Sequence, residues 1–124
     1  MAGRRPNVCV VTKRVKYQSL SVEQHMSCAR ANVWPHLLSI VKAGPGLGAA
    51  LSIEEPWRLS YQLDLEQLPL TFGQGTFLVR DDGDECHVAW GIVFDPAPVD
   101  AAPAMELCRQ MQSALASLAT LVES

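Results

Sequence analysis

The chain has 124 residues, 48% apolar and 19% charged, with a net charge near −3, a balance that suits one globular domain around one core. Its eight glycines and eight prolines are scattered, which argues against a disordered tract. The longest apolar runs fall far short of the about 20 residues of a spanning helix, and no apolar stretch or small-residue cleavage site follows the charged start Met1-Ala2-Gly3-Arg4-Arg5, so a cytoplasmic protein without a membrane span is expected.

Basic residues gather at the N-terminus as Arg4, Arg5, Lys13, Arg14 and Lys16, with no aromatic residue among them. Phosphate tracking with base stacking needs both, so nucleic acid is not an expected partner. Residues 1–15 read as a solvated basic arm that could extend the first strand, and residues 16–124 as a single domain. Cys9, Cys28, Cys86 and Cys108 match neither a zinc-binding CxxC pair nor a dense disulfide framework, and free, mostly buried thiols are expected.

Lys16 to Met26 alternates as a strand, with Leu20, Val22 and Met26 on one face and Ser19, Ser21, Glu23 and His25 on the other. Gln24 falls on the apolar face, either as a polar group of a pocket or as a side chain near a strand end that meets backbone or water. In Arg30 to Val41 the residues Val33, Trp34, Leu37, Leu38 and Val41 recur at helical spacing. Pro35 is tolerated only near the first turn, which puts the start at Ala31 or Asn32 with Asn32 or Ser27 as N-cap; Gly44-Pro45-Gly46 ends the helix.

Gly48 to Ile53 reads as a small strand, and Glu54-Glu55-Pro56 as a turn. Trp57 to Glu66 alternates strictly, with Trp57, Leu59, Tyr61, Leu63 and Leu65 inward and Arg58, Ser60, Gln62, Asp64 and Glu66 outward. After a break at Leu68-Pro69-Leu70, Thr71 to Arg80 resumes the pattern with Phe77 and Val79 inward. Gly73 and Gly75 share that face and leave either a kink or room for something to lie against the sheet.

Asp81-Asp82-Gly83-Asp84 is a hairpin turn, because Asp and Gly accept the backbone angles it needs. Its aspartates lack the spaced oxygens of a calcium loop, and no metal is expected. Cys86 to Asp95 carries Val88, Trp90, Ile92 and Phe94 on one face, and Pro96, Pro98 and Pro103 mark a linker. From Ala104 to Val122, Met105, Cys108, Met111, Leu115, Leu118, Ala119 and Val122 form a stripe along one long helix, with Glu106 placed to suit its dipole.

Three segments together resemble the START-related, Bet v 1-like superfamily, which includes polyketide cyclases and lipid carriers. His25 to Leu37 resembles its opening, where a strand ends in a small-residue turn before a helix with a Val-Trp pair, here Val33-Trp34. Gly83 to Pro96 resembles its last hairpin strand, with Val88-Ala89-Trp90 leading to Phe94-Asp95-Pro96. The Leu- and Ala-rich helix after Pro103 resembles its closing helix. The resemblance implies an α+β helix-grip fold: a curved antiparallel β-sheet wrapped on a long C-terminal helix, with a short helix after the first strand and a ligand cavity between sheet and helix. Family members commonly have about three strands where Gly44 to Pro56 has room for one, so a small, open or dimer-completed pocket is expected.

On that frame the ligand wall is Tyr61, Leu63, Phe77, Trp90, Met111 and Leu115, with Trp34 and Leu38 at the helical end, although burial in a core accounts for each of them individually. Tyr61 and Trp90 each carry a polar handle that needs a partner when buried, and Tyr61 is the candidate general acid of a cyclisation. His25, His36 and His87 read as solvated, and Cys86 beside His87 is no dyad because strand neighbours face opposite ways. The expected function is binding of an apolar or polyketide-like small molecule, with cyclase or aromatase activity in biosynthesis and no cofactor. The alternative is a non-catalytic interaction protein or carrier that dimerises through its sheet edge.

Overall fold

The computed structural model describes residues 7–13, 18–43, 47–63, 72–95 and 102–123. Expected features at residues 1–6, 14–17, 44–46, 64–71 and 96–101 lie outside them: most of the basic arm, the Gly44-Pro45-Gly46 stop, the end of the Trp57 strand, the Leu68-Pro69-Leu70 break and most of the proline linker.

Eight elements follow in order: β1 (Cys9–Lys13), β2 (Gln18–Met26), α1 (Arg30–Ala43), β3 (Leu47–Glu54), β4 (Arg58–Leu63), β5 (Phe72–Asp82), β6 (Glu85–Asp95) and α2 (Ala102–Glu123). The strands form one antiparallel sheet in the order β1-β2-β6-β5-β4-β3. The pairing of β2 with β6 aligns their apolar faces, Leu20 opposite Ile92 and Val22 opposite Trp90, and Phe77 of β5 lies opposite Trp90. One face of the sheet is therefore apolar apart from Gln18 and Gln24 of β2. α2 packs over β2 and β1, and α1 over β3 and β5, which encloses the core.

The β5–β6 hairpin turns on Gly83 and Asp84, between the partners Asp82 and Glu85, with Gly83 at φ +64°. That left-handed angle needs no Cβ. Register shifts between Leu47, Ala50 and Ser52 interrupt the β3–β4 ladder, a bulged edge of the kind that bends a sheet.

Several expectations are corrected. Cys9 and Cys108 form a disulfide with Cα atoms 5.8 Å apart, leaving Cys28 and Cys86 as the free thiols. Cys9 reaches α2 because β1 is a strand of its own, pairing Cys9 with Val22 of the strand that α2 covers. Trp57 lies in the turn before β4 and is 45% exposed rather than inward; its carbonyl accepts the Val79 N–H at 2.8 Å. Ser60, expected to be wet, is 2% exposed, since strands flank it on both sides and its hydroxyl pairs with that of Thr76 at 3.2 Å.

The helices also start earlier than expected. α1 begins at Arg30, so neither Asn32 nor Ser27 holds the cap position, and Pro35 is its sixth residue. The Asn32 N–H instead donates to the Ala29 carbonyl at 2.9 Å. α2 begins at Ala102 and takes in Pro103, which a first turn tolerates because its N–H groups have no helical acceptor. Met105 is 65% exposed; the buried stripe begins one turn later, at Cys108, where α2 meets β1.

Candidate functional site

The inward face of the sheet presents Tyr61 from β4, Phe77 from β5 and Trp90 from β6, all buried. The Phe77 and Trp90 rings stack with centroids 4.7 Å apart, and the Tyr61 ring tilts beside Phe77 at 6.0 Å. The Trp90 Nε1–H donates to the Tyr61 hydroxyl at 2.7 Å. The Tyr61 oxygen thus satisfies the Trp90 donor inside an apolar interior, where an unpaired donor would be costly.

Gly73 and Gly75 make this arrangement possible. Tyr61 is the partner of Gly75, and a Cβ there would lie 2.5 Å from Tyr61 Cε1, inside the ring's van der Waals envelope; at Gly73 it would lie 2.5 Å from Leu63 Cδ1. The ladder of β5 with β6 runs without a register shift through both glycines. Of the two readings, the glycines give room, and what occupies it is Tyr61 and Leu63.

Burial raises the Tyr61 pKa well above the ordinary 10.0 of a phenol, against the smaller opposing effect of the Trp90 hydrogen bond. At neutral pH the phenol keeps its proton, and it can orient an oxygen by donating a hydrogen bond. Indole is a donor only, so Trp90 cannot act as the base that a general acid needs as its counterpart.

Met111 and Leu115 of α2 are fully buried, Leu63 and Trp34 nearly so, and Leu38 packs half-buried against the same cluster. The expected wall residues therefore share one contiguous core. Trp34 is 2% exposed, yet among the described residues its Nε1–H has no hydrogen-bond partner, and the same holds for buried Gln18 Oε1. Open clefts lie elsewhere among the described residues. One, of about 480 Å3, runs between α1 and α2 past His36, Ser39, Ile40, Ser117 and Leu118. Another, of about 360 Å3, sits on the outward face of the sheet around Phe72, Thr76, Gly91 and Val93.

Gln24, which with Gln18 lies on the inward face of β2, has a different task. Gln24 Nε2 donates to the His25 carbonyl at 3.1 Å, and its Oε1 accepts from Asn7 Nδ2 at 3.0 Å. Asn7 Nδ2 also donates to the Gln112 carbonyl at 2.9 Å, and Gln112 Nε2 donates to the Asn7 carbonyl at 3.2 Å. Sequence reasoning missed both Asn7 and the disulfide, because their partners lie 105 and 99 residues away with no local signal.

His25 and His87, 62 positions apart, are cross-strand partners on the outward face, with ring centroids 5.1 Å apart. His25 contacts the Glu85 carboxylate, and His87 Nε2 lies 3.9 Å from Asp82 Oδ2. Among the described residues, His, Cys, Asp and Glu side chains do not gather into a group of three that could hold a metal ion. Cys86 faces the core opposite to His87; burial pushes its thiol up to about 11, helped by nearby Cys28 and Asp81, which is the reverse of nucleophile activation.

No family model matches the sequence, and no curated protein matches it. Solved structures do. CalU16 from Micromonospora echinospora superposes with a TM-score of 0.70 at 12% identity, over 95% of this chain and 84% of that one. The chain has the helix-grip fold. An uncharacterized protein from Bacillus thuringiensis is similar at a TM-score of 0.63 and 15% identity, over 86% of this chain and 99% of that one. Norcoclaurine synthase from Thalictrum flavum, in complex with dopamine and hydroxybenzaldehyde, is similar at a TM-score of 0.55 and 13% identity, over 91% of this chain and 94% of that one. At such identities the likeness concerns architecture, the one implied by the START-related, Bet v 1-like resemblance. Among the described residues, no helix is long and apolar enough to cross a membrane.

Proposed function

We propose that this chain is a small-molecule binding protein of the START-related, Bet v 1-like superfamily, shortened between its first helix and its meander. Its ligand is apolar or polyketide-like and sits between the sheet and α2, and Trp34, Leu38, Leu63, Phe77, Met111 and Leu115 supply the apolar contacts. The observation that carries the reading is the Trp34 indole N–H, buried without an acceptor among the described residues. A buried donor left unpaired costs about 1–3 kcal/mol, and a ligand oxygen would remove that cost. A similar architecture in norcoclaurine synthase holds dopamine and hydroxybenzaldehyde, which supports aromatic oxygenated molecules as the class to test first. In a cyclase reading, Tyr61 positions a substrate oxygen through the hydroxyl that Trp90 orients, and shape supplies most of the effect. A cytoplasmic location belongs to this reading.

The test is a panel of aromatic ketones, phenols and fatty acids followed by thermal shift, with mass spectrometry of whatever co-purifies. A ligand should raise the melting temperature of the native protein and quench its tryptophan emission, and Trp34→Phe should weaken binding about tenfold or more, the range of one hydrogen bond lost to an apolar site. No shift across the panel and no co-purifying molecule would remove the proposal.

One observation favours the non-catalytic alternative. Edge strand β1 leaves Val10 and Val11 substantially exposed, with Val8 beside them, a row of β-formers on an open edge that a second copy could pair with. Sedimentation decides: a tight dimer without ligand response supports the alternative, and a ligand-binding monomer removes it.

A further inference from the structure

Residues 7–13 are fastened to the body of the protein by few means. Among the described residues β1 pairs only with β2 in the sheet, Asn7 Nδ2 donates to Gln24 Oε1 of that strand, and Val8, Val10 and Val11 remain 45–65% exposed, so apolar burial contributes little to holding it. What joins this segment to α2 is the Cys9–Cys108 disulfide and the amide contacts of Asn7 with Gln112. Cys9 lies opposite Val22, so the disulfide crosses the seam where α2 packs on β2, with Leu20 and Val22 on the sheet side and Cys108 and Met111 on the helix side. These four side chains are buried, and releasing residues 7–13 would turn β2 into the sheet edge and uncover the seam.

We propose that residues 7–13 are a redox-released strap over the α2–β2 seam, latched by Cys9–Cys108, and that the seam is the route by which a ligand reaches the interior; the second half of this rests on the ligand-binding reading above. The reductant is a dithiol. Its thiolate attacks the sulfur of Cys9, the less buried of the two cysteines, the S–S bond breaks, and Cys108 leaves as a thiolate that takes up a proton. The second dithiol sulfur then resolves the mixed disulfide, releasing Cys9 as a thiol and leaving the dithiol oxidised, a two-electron exchange that balances. In a reducing compartment the strap opens; in an oxidising one it stays latched.

Hydrogen exchange on the full chain tests the strap without any ligand. Oxidised protein should protect the β1 amides, whereas dithiothreitol, or Cys108→Ser without reductant, should speed their exchange on the order of tenfold or more while β5 and β6 stay protected. Gln112→Ala with the disulfide intact should leave β1 protected, since the covalent latch remains. Unchanged β1 exchange on reduction, or equal acceleration in every strand, overturns the strap. The route is read separately with 8-anilinonaphthalene-1-sulfonate as an apolar probe: uptake that rises with β1 opening supports it. Opening without uptake upholds the strap and overturns the route, and a ligand that binds the oxidised and reduced forms equally also overturns the route while the ligand reading stands.

Discussion

Gly75 lies under the ring of Tyr61, and that ring is held in place by Trp90, so it cannot yield to a new methyl group. Gly75→Ala should lower stability by about 1–3 kcal/mol, the usual cost of overpacking a filled core, measured as a drop in the urea midpoint. Gly91→Ala is the matched control: its added Cβ would come no closer than 3.8 Å to the Leu20 carbonyl, and the midpoint should barely move. Tyr61→Phe strands the Trp90 N–H in the core and should cost about 1–3 kcal/mol. A double-mutant cycle with Trp90→Phe should show coupling, because the second substitution removes the donor that the first one orphaned. Purely additive losses would mean that the hydrogen bond contributes nothing. Alternation along three segments places Tyr61, Phe77 and Trp90 on one face, so their grouping is legible from sequence. Their hydrogen bond is not, because it spans β4 to β6 across a middle strand that must carry glycine at the crossing point.

Among the elements, the β5–β6 hairpin is the one most fully specified locally. Gly83 takes a φ of +64° in open space, so Gly83→Ala meets no clash and pays only for the left-handed backbone, about 1–2 kcal/mol. The check is thermal unfolding of the variant, and an unchanged melting temperature would mean that the turn relaxes to another type. The strands and the two helices are legible for the same reason, since side-chain period follows backbone geometry within one element. Element ends are less so. Trp57 continues the alternation of β4 yet falls in a turn, and Met105 continues the stripe of α2 yet stands exposed, because periodicity reports a face and not where the neighbouring element stops. β1 is the clearest case: five residues of weak pattern become a strand only because β2 offers them an edge.

For the molecule as a whole, burial of acidic protons sets the alkaline limit. Cys86 is raised from 9.0 to about 11, Cys28 is raised as well, and Tyr61 lies above its ordinary 10.0. In each case the folded state keeps a proton that the unfolded chain has released, so stability is complete below about pH 9 and falls as pH rises above it. Urea midpoints from pH 7 to 11 should be flat and then decline, and Cys86→Ala should remove part of the decline between pH 9 and 11; a flat profile in the native protein to pH 11 would contradict this. The helix-grip class came through the resemblance to the START-related, Bet v 1-like superfamily; what the sequence by itself determined is the set of faces: the inward rows of β2, β4, β5 and β6, the buried stripe of α2 and the tight turn at Gly83. Each follows from local backbone periodicity or a single residue's backbone freedom. Tertiary structure alone decided the register that sets Tyr61 over Gly75 and His25 opposite His87, the Cys9–Cys108 bond, and the Trp34 indole that is unpaired among the described residues. These depend on which segments the sheet brings together, and partners 14, 62 and 99 positions apart leave no trace of that in a single chain.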